Sequence, residues 1–145
     1  MFYGEYEHTI DRKGRAIIPA KFRQVLQANK IQTLFLTRGL DVCLFLFPES
    51  EWRLAESRFK QVSFTKPESR KFNRLFFSGA TEVQLDGLGR LLIPKPLKEF
   101  AQIKEEIMIV GVSTRMEIWS QKKWREFYDT SRPSFEELAE RVLLE

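Results

Sequence analysis

The pattern of apolar and polar residues predicts the same short strand at two places in the chain. Residues 5–10 and residues 81–85 alternate, which is typical of a strand with one buried face. The inward positions are Tyr6, His8 and Ile10 in the first strand and Val83 and Leu85 in the second. Each strand is followed by an Asp-x-x-Gly-Arg segment and then by an apolar run that ends at a proline. Because Asp can bond its own downstream backbone and Gly accepts positive φ, we expect each segment to turn the chain into a hairpin.

The rest of the pattern predicts further short strands and amphipathic helices. Apolar runs predict strands at residues 33–37, 42–47, 107–110 and 115–119, paired around turns at 38–41 and 111–114. Short helices are expected after Pro19 and Pro94, and longer ones from Pro48 and over residues 67–77, 122–128 and 134–144. The unbroken apolar run at 42–47 predicts a strand that is covered on both faces.

The chain contains an internal repeat. Residues 11–21 align with residues 86–96 at an offset of 75, and five of the eleven positions are identical, where chance gives roughly one or fewer. Further along, Trp52 aligns with Trp124 after a deletion of three residues. We therefore predict an α+β fold of two tandem, pseudo-symmetric units, each a β-hairpin with a short helix. The predicted segments are a first repeat at 1–62, a connecting helix at 63–78, a second repeat at 79–130 and a C-terminal helix at 131–145.

Composition and charge add two expectations. The mean hydropathy of −0.34 and the lack of a long apolar run predict no membrane span. The first residues lack the basic flank and apolar stretch of a secretory signal, so we expect a cytoplasmic protein. Residues 1–74 carry 14 Lys and Arg against 8 Asp and Glu, whereas residues 75–145 carry 10 against 12. If nucleic acid binds, more of the neutralising charge lies in the first half.

Residues for catalysis are scarce. His8 is the only histidine and Cys43 the only cysteine, and the pattern puts both in strands without a partner for nucleophilic catalysis. No metal-ligand spacing or phosphate-binding loop is present, so we expect no metal, no cofactor and no small-molecule substrate. A site made only of the carboxylates of Glu5, Glu7 and Asp11 is a remote alternative, because a solvated strand face and turn explain them more simply. We therefore expect a protein that is not an enzyme.

The two turns carry the residues best suited to bind a nucleic acid. The planar guanidinium of arginine matches two guanine acceptors or a phosphate, and a turn tip can enter a groove that a flat sheet cannot. The alternative is that Asp and Arg, four residues apart, only staple the turn by an ion pair. Lys21 and Arg23 add positive charge near the first turn. The candidate DNA-binding residues are Asp11, Arg12, Lys13 and Arg15 in the first turn and Asp86 and Arg90 in the second.

These segments closely resemble the MraZ family over nearly the whole chain. The resemblance is carried by residues 3–23, by residues 85–94 and by Glu117-Ile-Trp119, with two Asp-x-x-x-Arg signatures at a specific separation. It implies a transcriptional regulator of the bacterial division and cell-wall gene cluster, with an AbrB-like swapped-hairpin β-barrel flanked by amphipathic helices. It further implies a cytoplasmic, nucleoid-associated protein that forms a ring homo-oligomer on short G-rich direct repeats in double-stranded promoter DNA.

The second repeat departs from the family pattern. Where a polar or basic pair is expected inside the turn, this chain has Gly87 and Leu88, so we expect Arg90 to contribute less than Arg15 to DNA contact. Apolar stripes also predict self-association. The residues on these stripes are Trp52, Phe72, Phe76 and Phe135. A second class of function remains open, because related swapped-hairpin barrels also serve as antitoxins, in which a protein partner docks on the helices.

Overall fold

The computed structural model describes residues 1–144, a mixed α+β arrangement of short strands and helices. The strands are β1 (Phe2–Thr9), β2 (Arg15–Ile17), β3 (Leu34–Arg38), β4 (Leu44–Pro48), β5 (Thr81–Val83), β6 (Arg90–Leu92), β7 (Glu106–Ser113) and β8 (Arg115–Ser120). The helices are α1 (Ala20–Ala28), α2 (Glu49–Lys60), α3 (Pro67–Ser78), α4 (Lys95–Phe100), α5 (Gln121–Ser131) and α6 (Phe135–Leu143), with a 3₁₀ turn at Arg132–Ser134. Three helices start directly after a proline, whose fixed φ suits a helix start. These prolines are Pro19, Pro48 and Pro94.

Six strands form one antiparallel sheet in the order β1-β7-β8-β4-β3-β5. The two halves of this order correspond, since β1, β7 and β8 occupy the places that β5, β3 and β4 occupy on the other side. β1 of the first repeat pairs along its whole length with β7 of the second repeat, and β5 of the second repeat pairs with β3 of the first. Each repeat therefore supplies its first strand to the half of the sheet built by the other.

The strands β2 and β6 form a separate two-stranded antiparallel sheet, which we call the ribbon. Ala16 lies opposite Leu91 on its inner face, and both side chains are buried. Two reciprocal hydrogen bonds of 2.9 Å extend the pairing, from the N–H of Ile18 to the carbonyl of Gly89 and from the N–H of Ile93 to the carbonyl of Gly14. The ribbon is therefore the second place where the two repeats interlock.

The large sheet is covered on both faces, as the apolar run at 42–47 predicts. One face packs against the ribbon, α1 and α4, where Leu44 and Leu46 belong to the larger hydrophobic core. The other face packs against α2, α3 and α5, where Cys43 and Phe45 belong to an aromatic cluster with Trp52. Because successive side chains of β4 point to opposite faces, a strand in this central position has to be apolar throughout.

The predicted hairpin within each repeat is wrong beyond the turn itself. The N–H of Asp11 donates to the carbonyl of Arg15 and closes the turn, but β1 then pairs with β7 and β2 pairs with β6. A three-residue strand such as β2 buries little apolar surface against its own neighbour, so it gains more from the other repeat. Among the described residues, β1 and β5 are the two edges of the sheet, and the predicted barrel is not confirmed, since the sheet does not close.

The apolar helix stripes are mostly covered within the chain. α2 and α3 form a hairpin in which Phe59 packs edge-on against Phe72 at 4.8 Å and Trp52 stacks on Phe76 at 5.6 Å between ring centroids. Three of the four side chains that led us to predict self-association therefore pack inside the chain. The sequence periodicity shows that a helix has an apolar face, but it does not show what covers that face. Phe135 on α6, by contrast, is 72% exposed. None of the helices in residues 1–144 has the length and apolar character needed to cross a membrane.

Candidate nucleic-acid interface

The first Asp-Arg turn runs from Asp11 to Gly14 and closes on a glycine. The N–H of Gly14 donates to the carbonyl of Asp11 at 3.0 Å, and Gly14 has a φ of +81°, which glycine adopts without steric cost. Asp at the first position and Gly at the fourth are typical of a type I turn that leads into a glycine bulge. The turn places Arg12 and Lys13 at its tip, where both are exposed.

The carboxylate of Asp11 fixes both the turn and the arginine that follows it. Its Oδ1 accepts the backbone N–H groups of Lys13 and Arg15, both at 2.9 Å. Its Oδ2 accepts the side-chain Nε–H of Arg15 at 2.7 Å. Within residues 1–144 the two Nη atoms of Arg15 donate no hydrogen bond. The ion-pair staple is therefore present, and it holds the guanidinium by its inner edge while the outer N–H groups remain available.

The second turn reproduces this geometry. Oδ1 of Asp86 accepts the backbone N–H groups of Leu88 at 3.0 Å and Arg90 at 2.9 Å, and Oδ2 accepts the Nε–H of Arg90 at 2.8 Å. Gly89 has a φ of +79°. The tips differ, because Gly87 and Leu88 stand where the first turn has two cations, and Leu88 is 65% exposed. The two turns therefore share a scaffold but differ in charge.

Both aspartates are held in the charged form. The backbone N–H of Arg15 is the largest cause that lowers the pKa of Asp11, burial opposes it, and the side chain of Arg15 lowers the pKa further. The backbone N–H of Arg90 does the same for the pKa of Asp86. Hydrogen bonds that a carboxylate accepts stabilise its ionised form. Each ionised aspartate therefore fixes the orientation of the arginine in its own turn.

The ribbon brings the two arginines together on one face. Arg15 lies opposite Leu92, and Ile17 lies opposite Arg90, so these four side chains share the outer face of the ribbon. Ile17 is 40% and Leu92 is 56% exposed, while the inner face is buried. One Nη of Arg90 lies 4.0 Å from Oδ2 of Asp11 in the other turn. The result is an exposed ribbon face on which each arginine lies opposite an aliphatic side chain.

Each turn also lies against a basic side chain from the other repeat. Arg23 on α1 passes so close to Gly89 that a Cβ there would lie 2.5 Å from its Cδ. Lys98 on α4 lies beside Gly14, where a Cβ would be 3.3 Å from its Nζ. Lys98 was not among the residues predicted from the sequence, although the repeat offset of 75 places it at the position equivalent to Arg23. The positive charge near the turns is therefore shared more evenly between the repeats than the net charges of the two halves indicate.

The residues considered for catalysis lie elsewhere. Cys43 is buried, its Sγ donates to the carbonyl of Leu40 at 3.1 Å, and burial raises the pKa of its thiol far above neutrality. His8 is half-buried in β1 opposite Ile107. Among residues 1–144 no three His, Cys, Asp or Glu side chains are grouped so that they could hold a metal ion.

The carboxylates of the remote alternative have other partners. Glu5 accepts a hydrogen bond from Nε1 of Trp124 at 3.0 Å, and Asp11 is engaged with its own turn. Glu7 is exposed in β1. Each of these groups thus has a structural or solvated role in its own element.

Comparison with known proteins gives matches over the full length of the chain. A family model described as "MraZ protein, putative antitoxin-like" matches twice, over residues 1–75 and over residues 76–145. The chain is 47% identical over 143 residues to the transcriptional regulator MraZ of Carboxydothermus hydrogenoformans, which covers 99% of this chain and 97% of that protein. It is also 47% identical over 143 residues to the transcriptional regulator MraZ of Desulforamulus reducens, with 99% and 98% covered.

Proposed function

The chain belongs to the MraZ family, and on that premise we propose that it is a transcriptional regulator that binds promoter DNA through the outer face of the ribbon. The observation that carries the proposal is the presence of two equivalent arginines, Arg15 and Arg90, each held by an aspartate and both on one exposed face. Stapling alone would also give one such pair in each turn, but it does not require both arginines to lie on the same exposed face. Two staples that orient their arginines to the same side favour a shared ligand.

The size of the ribbon suits the major groove of duplex DNA, which admits a two-stranded β-ribbon. In this proposal the outer Nη groups of Arg15 and Arg90 donate to the O6 and N7 acceptors of guanine. Ile17 and Leu92, which flank them, then make apolar contact with thymine methyl groups. Arg12 and Lys13 at the first tip neutralise phosphates, and so give the sequence-independent part of the affinity. Asp11 and Asp86 act as positioning residues.

One ribbon supplies too little discrimination to select a promoter. A bidentate arginine–guanine contact contributes roughly 1–3 kcal/mol against a wrong base. We therefore propose that subunits assemble into a ring that grips several short G-rich direct repeats, since matched spacing raises avidity about 10²–10⁴-fold. The proposed setting is cytoplasmic and nucleoid-associated, at the division and cell-wall gene cluster. The exchange of strands between the repeats supports the related proposal that the fold is a swapped-hairpin one.

The test is a binding titration of the wild type and of Arg15→Ala and Arg90→Ala. Fluorescence anisotropy is measured with a duplex from upstream of the protein's own gene and with a scrambled duplex of equal length, at about 50 and about 200 mM salt. We expect Arg15→Ala to weaken promoter binding by about 5–150-fold or more, because one arginine contact supplies roughly that discrimination. Arg90→Ala should weaken it less. Circular dichroism checks that both variants are folded.

Lys122→Ala is the matched control, because Lys122 is an exposed cation on α5, away from the ribbon. It should leave promoter binding within about twofold, as expected for loss of a solvated surface charge. If Arg15→Ala, Arg90→Ala and their double variant all bind the promoter as the wild type does, the two ion pairs only hold the turns, and the DNA-binding proposal fails.

A second candidate function is an antitoxin-like module that binds a protein through its helices. It is favoured by the description of the matching family as antitoxin-like and by an exposed apolar groove between α5 and α6. The salt titration separates the two functions. Phosphate-driven binding falls steeply as salt rises, whereas apolar docking on helices does not.

A further inference from the structure

Helices α5 and α6 enclose a groove that the rest of the chain leaves uncovered. Its volume is about 630 Å³, and aromatic and aliphatic side chains form most of its walls. On its α6 side, Phe135 is 72% and Val142 is 71% exposed. On its α5 side lie Trp124 and Phe127. An apolar groove of this size in water is typical of a surface that has a binding partner.

A second apolar feature protrudes between α2 and α3, the helices that contact the other half of the sheet. The loop at residues 61–66, between α2 and α3, presents Phe64 with 78% of its surface exposed. Nη1 of Arg70 donates to the carbonyls of Phe64 and Thr65, both at 3.0 Å, and Ser63 and Thr65 share a hydrogen bond between their hydroxyls at 2.7 Å. This loop, which we call the Phe64 loop, is thus fixed by its own hydrogen bonds while its largest side chain faces solvent.

The charges around the two features have opposite signs. Residues 58–74, which contain the Phe64 loop, carry six Lys and Arg and one Glu. Helix α6, which forms one wall of the groove, carries three Glu and one Arg. Two copies of α6 placed together would juxtapose like charges, whereas the Phe64 loop placed on the groove brings opposite charges together. Charge complementarity therefore selects the Phe64 loop as the occupant.

We infer that Phe64 of one subunit docks in the α5–α6 groove of the next subunit. This inference rests on the ring assembly in the proposed function and names the interface that builds it. Because α2 and α5 contact different halves of the sheet, the two surfaces lie apart on each subunit. A subunit bound through one surface keeps the other free. Such a head-to-tail contact propagates and closes into a ring when its rotation allows.

The test uses two variants that each disable one surface, Phe64→Asp and Val142→Asp. Molar mass is measured by light scattering coupled to size-exclusion chromatography. Each variant alone should lose its assembly and elute as a monomer, since loss of one central side chain of an interface weakens it by at least about 30-fold. Mixed in equal amounts, the two variants should form a 1:1 dimer. In that dimer the intact groove of Phe64→Asp holds the intact loop of Val142→Asp.

The mixture distinguishes this interface from a symmetric one. If α6 paired with α6, Phe64→Asp would keep the wild-type mass and the mixture would give no 1:1 complex of the two variants, and either result overturns the inference. Leu40→Asp is the matched control, because Leu40 is 57% exposed in the β3–β4 turn and should keep the wild-type mass. A wild type that stays monomeric would overturn the ring as well. An assembled wild type with assembled variants would overturn only the interface.

Cross-linking tests the same contact without weakening it. In the double variant Phe64→Cys and Val142→Cys, oxidation should give a ladder of disulfide-linked subunits on a denaturing gel, whereas each single variant should not. The buried thiol of Cys43 does not interfere. Absence of the ladder from an assembled double variant overturns the inference, even if the charged variants fail to fold.

Discussion

Replacing Asp11 by asparagine separates two effects that the aspartate has on DNA binding. Asparagine keeps one oxygen, so it can still accept the backbone N–H groups of Lys13 and Arg15 that Oδ1 accepts at 2.9 Å. It puts an NH₂ group where Oδ2 accepts Nε of Arg15 at 2.7 Å. Two donors then face each other and that bond is lost. The turn persists, the guanidinium is released, and the local charge rises by one.

These changes act in opposite directions on specific and non-specific binding. One more uncompensated cation near phosphates makes the slope of log affinity against log salt steeper by about 0.9. A guanidinium that is no longer oriented loses its preference for guanine, which costs roughly 5–150-fold of discrimination per turn. Salt screens the first effect and leaves the second. We therefore expect Asp11→Asn to bind scrambled DNA more tightly and promoter DNA more weakly at about 200 mM salt.

The assay is fluorescence anisotropy with both duplexes at both salt concentrations, read as the ratio of the two affinities. Asp41→Asn is the control, because Asp41 lies in the β3–β4 turn at a φ of +67°, a conformation that asparagine tolerates. Its ratio should match that of the wild type. If Asp11→Asn changes the affinities for both duplexes by the same factor, the aspartate does not orient the arginine for base recognition, and the reasoning is refuted.

Three further predictions concern stability and reactivity. The folded-state pKa values of Asp11 and Asp86 lie below the ordinary 3.8, so their contribution to stability is present above about pH 3.8 and is lost as pH falls through the lowered values. The melting temperature should therefore fall more between about pH 5 and about pH 3 for the wild type than for the variant in which both aspartates are replaced by Asn. Equal falls would contradict this. A Cβ at Gly111 would overlap backbone atoms of Phe2 and Tyr3 in β1, so Gly111→Ala should lower the free energy of unfolding in urea by about 1–3 kcal/mol or more. Gly87→Ala, with nothing within 4 Å of its Cβ, should change that free energy by less than about 0.5 kcal/mol, and equal effects of the two variants would count against the argument. Because burial raises the pKa of Cys43, a thiol-specific disulfide reagent should modify it slowly in the native protein and fast in urea, and equal rates would contradict the burial argument.

The sequence predicts the elements and the repeat well because both depend on local chemistry. Period-2 alternation identifies β1 and β5, proline marks three helix starts, and Asp and Gly at fixed spacing give the turn at Asp11 with its glycine at positive φ. The paired arginines follow from the repeat. The same alignment would also have identified Lys98 from Arg23, if the positions around the turns had been compared as well as the turns themselves.

The pairing of the strands was not predictable in the same way. Alternation tells which face of a strand is buried but not which strand lies beside it, and the exchange of β1 and β5 between repeats is a long-range choice. Gly111 is an example of a residue that the sequence pattern misassigns. The pattern predicts a turn at Gly111, but this glycine lies within β7. It pairs with Gly4, and backbone atoms of Phe2 occupy the space that a side chain would take. A glycine that permits two strands to approach closely looks like a turn glycine in the sequence alone.

The difference between the two turn tips has a consequence for how the protein meets a duplex. Two identical chains paired by a twofold axis present the same tip twice, and so match half-sites that are inverted relative to each other. Joining both units in one chain has let Arg12-Lys13 and Gly87-Leu88 diverge, which gives the ribbon a polarity. Subunits arranged head to tail then all point the same way along DNA. The DNA sites that such an assembly matches are therefore repeated in one orientation and are not palindromic.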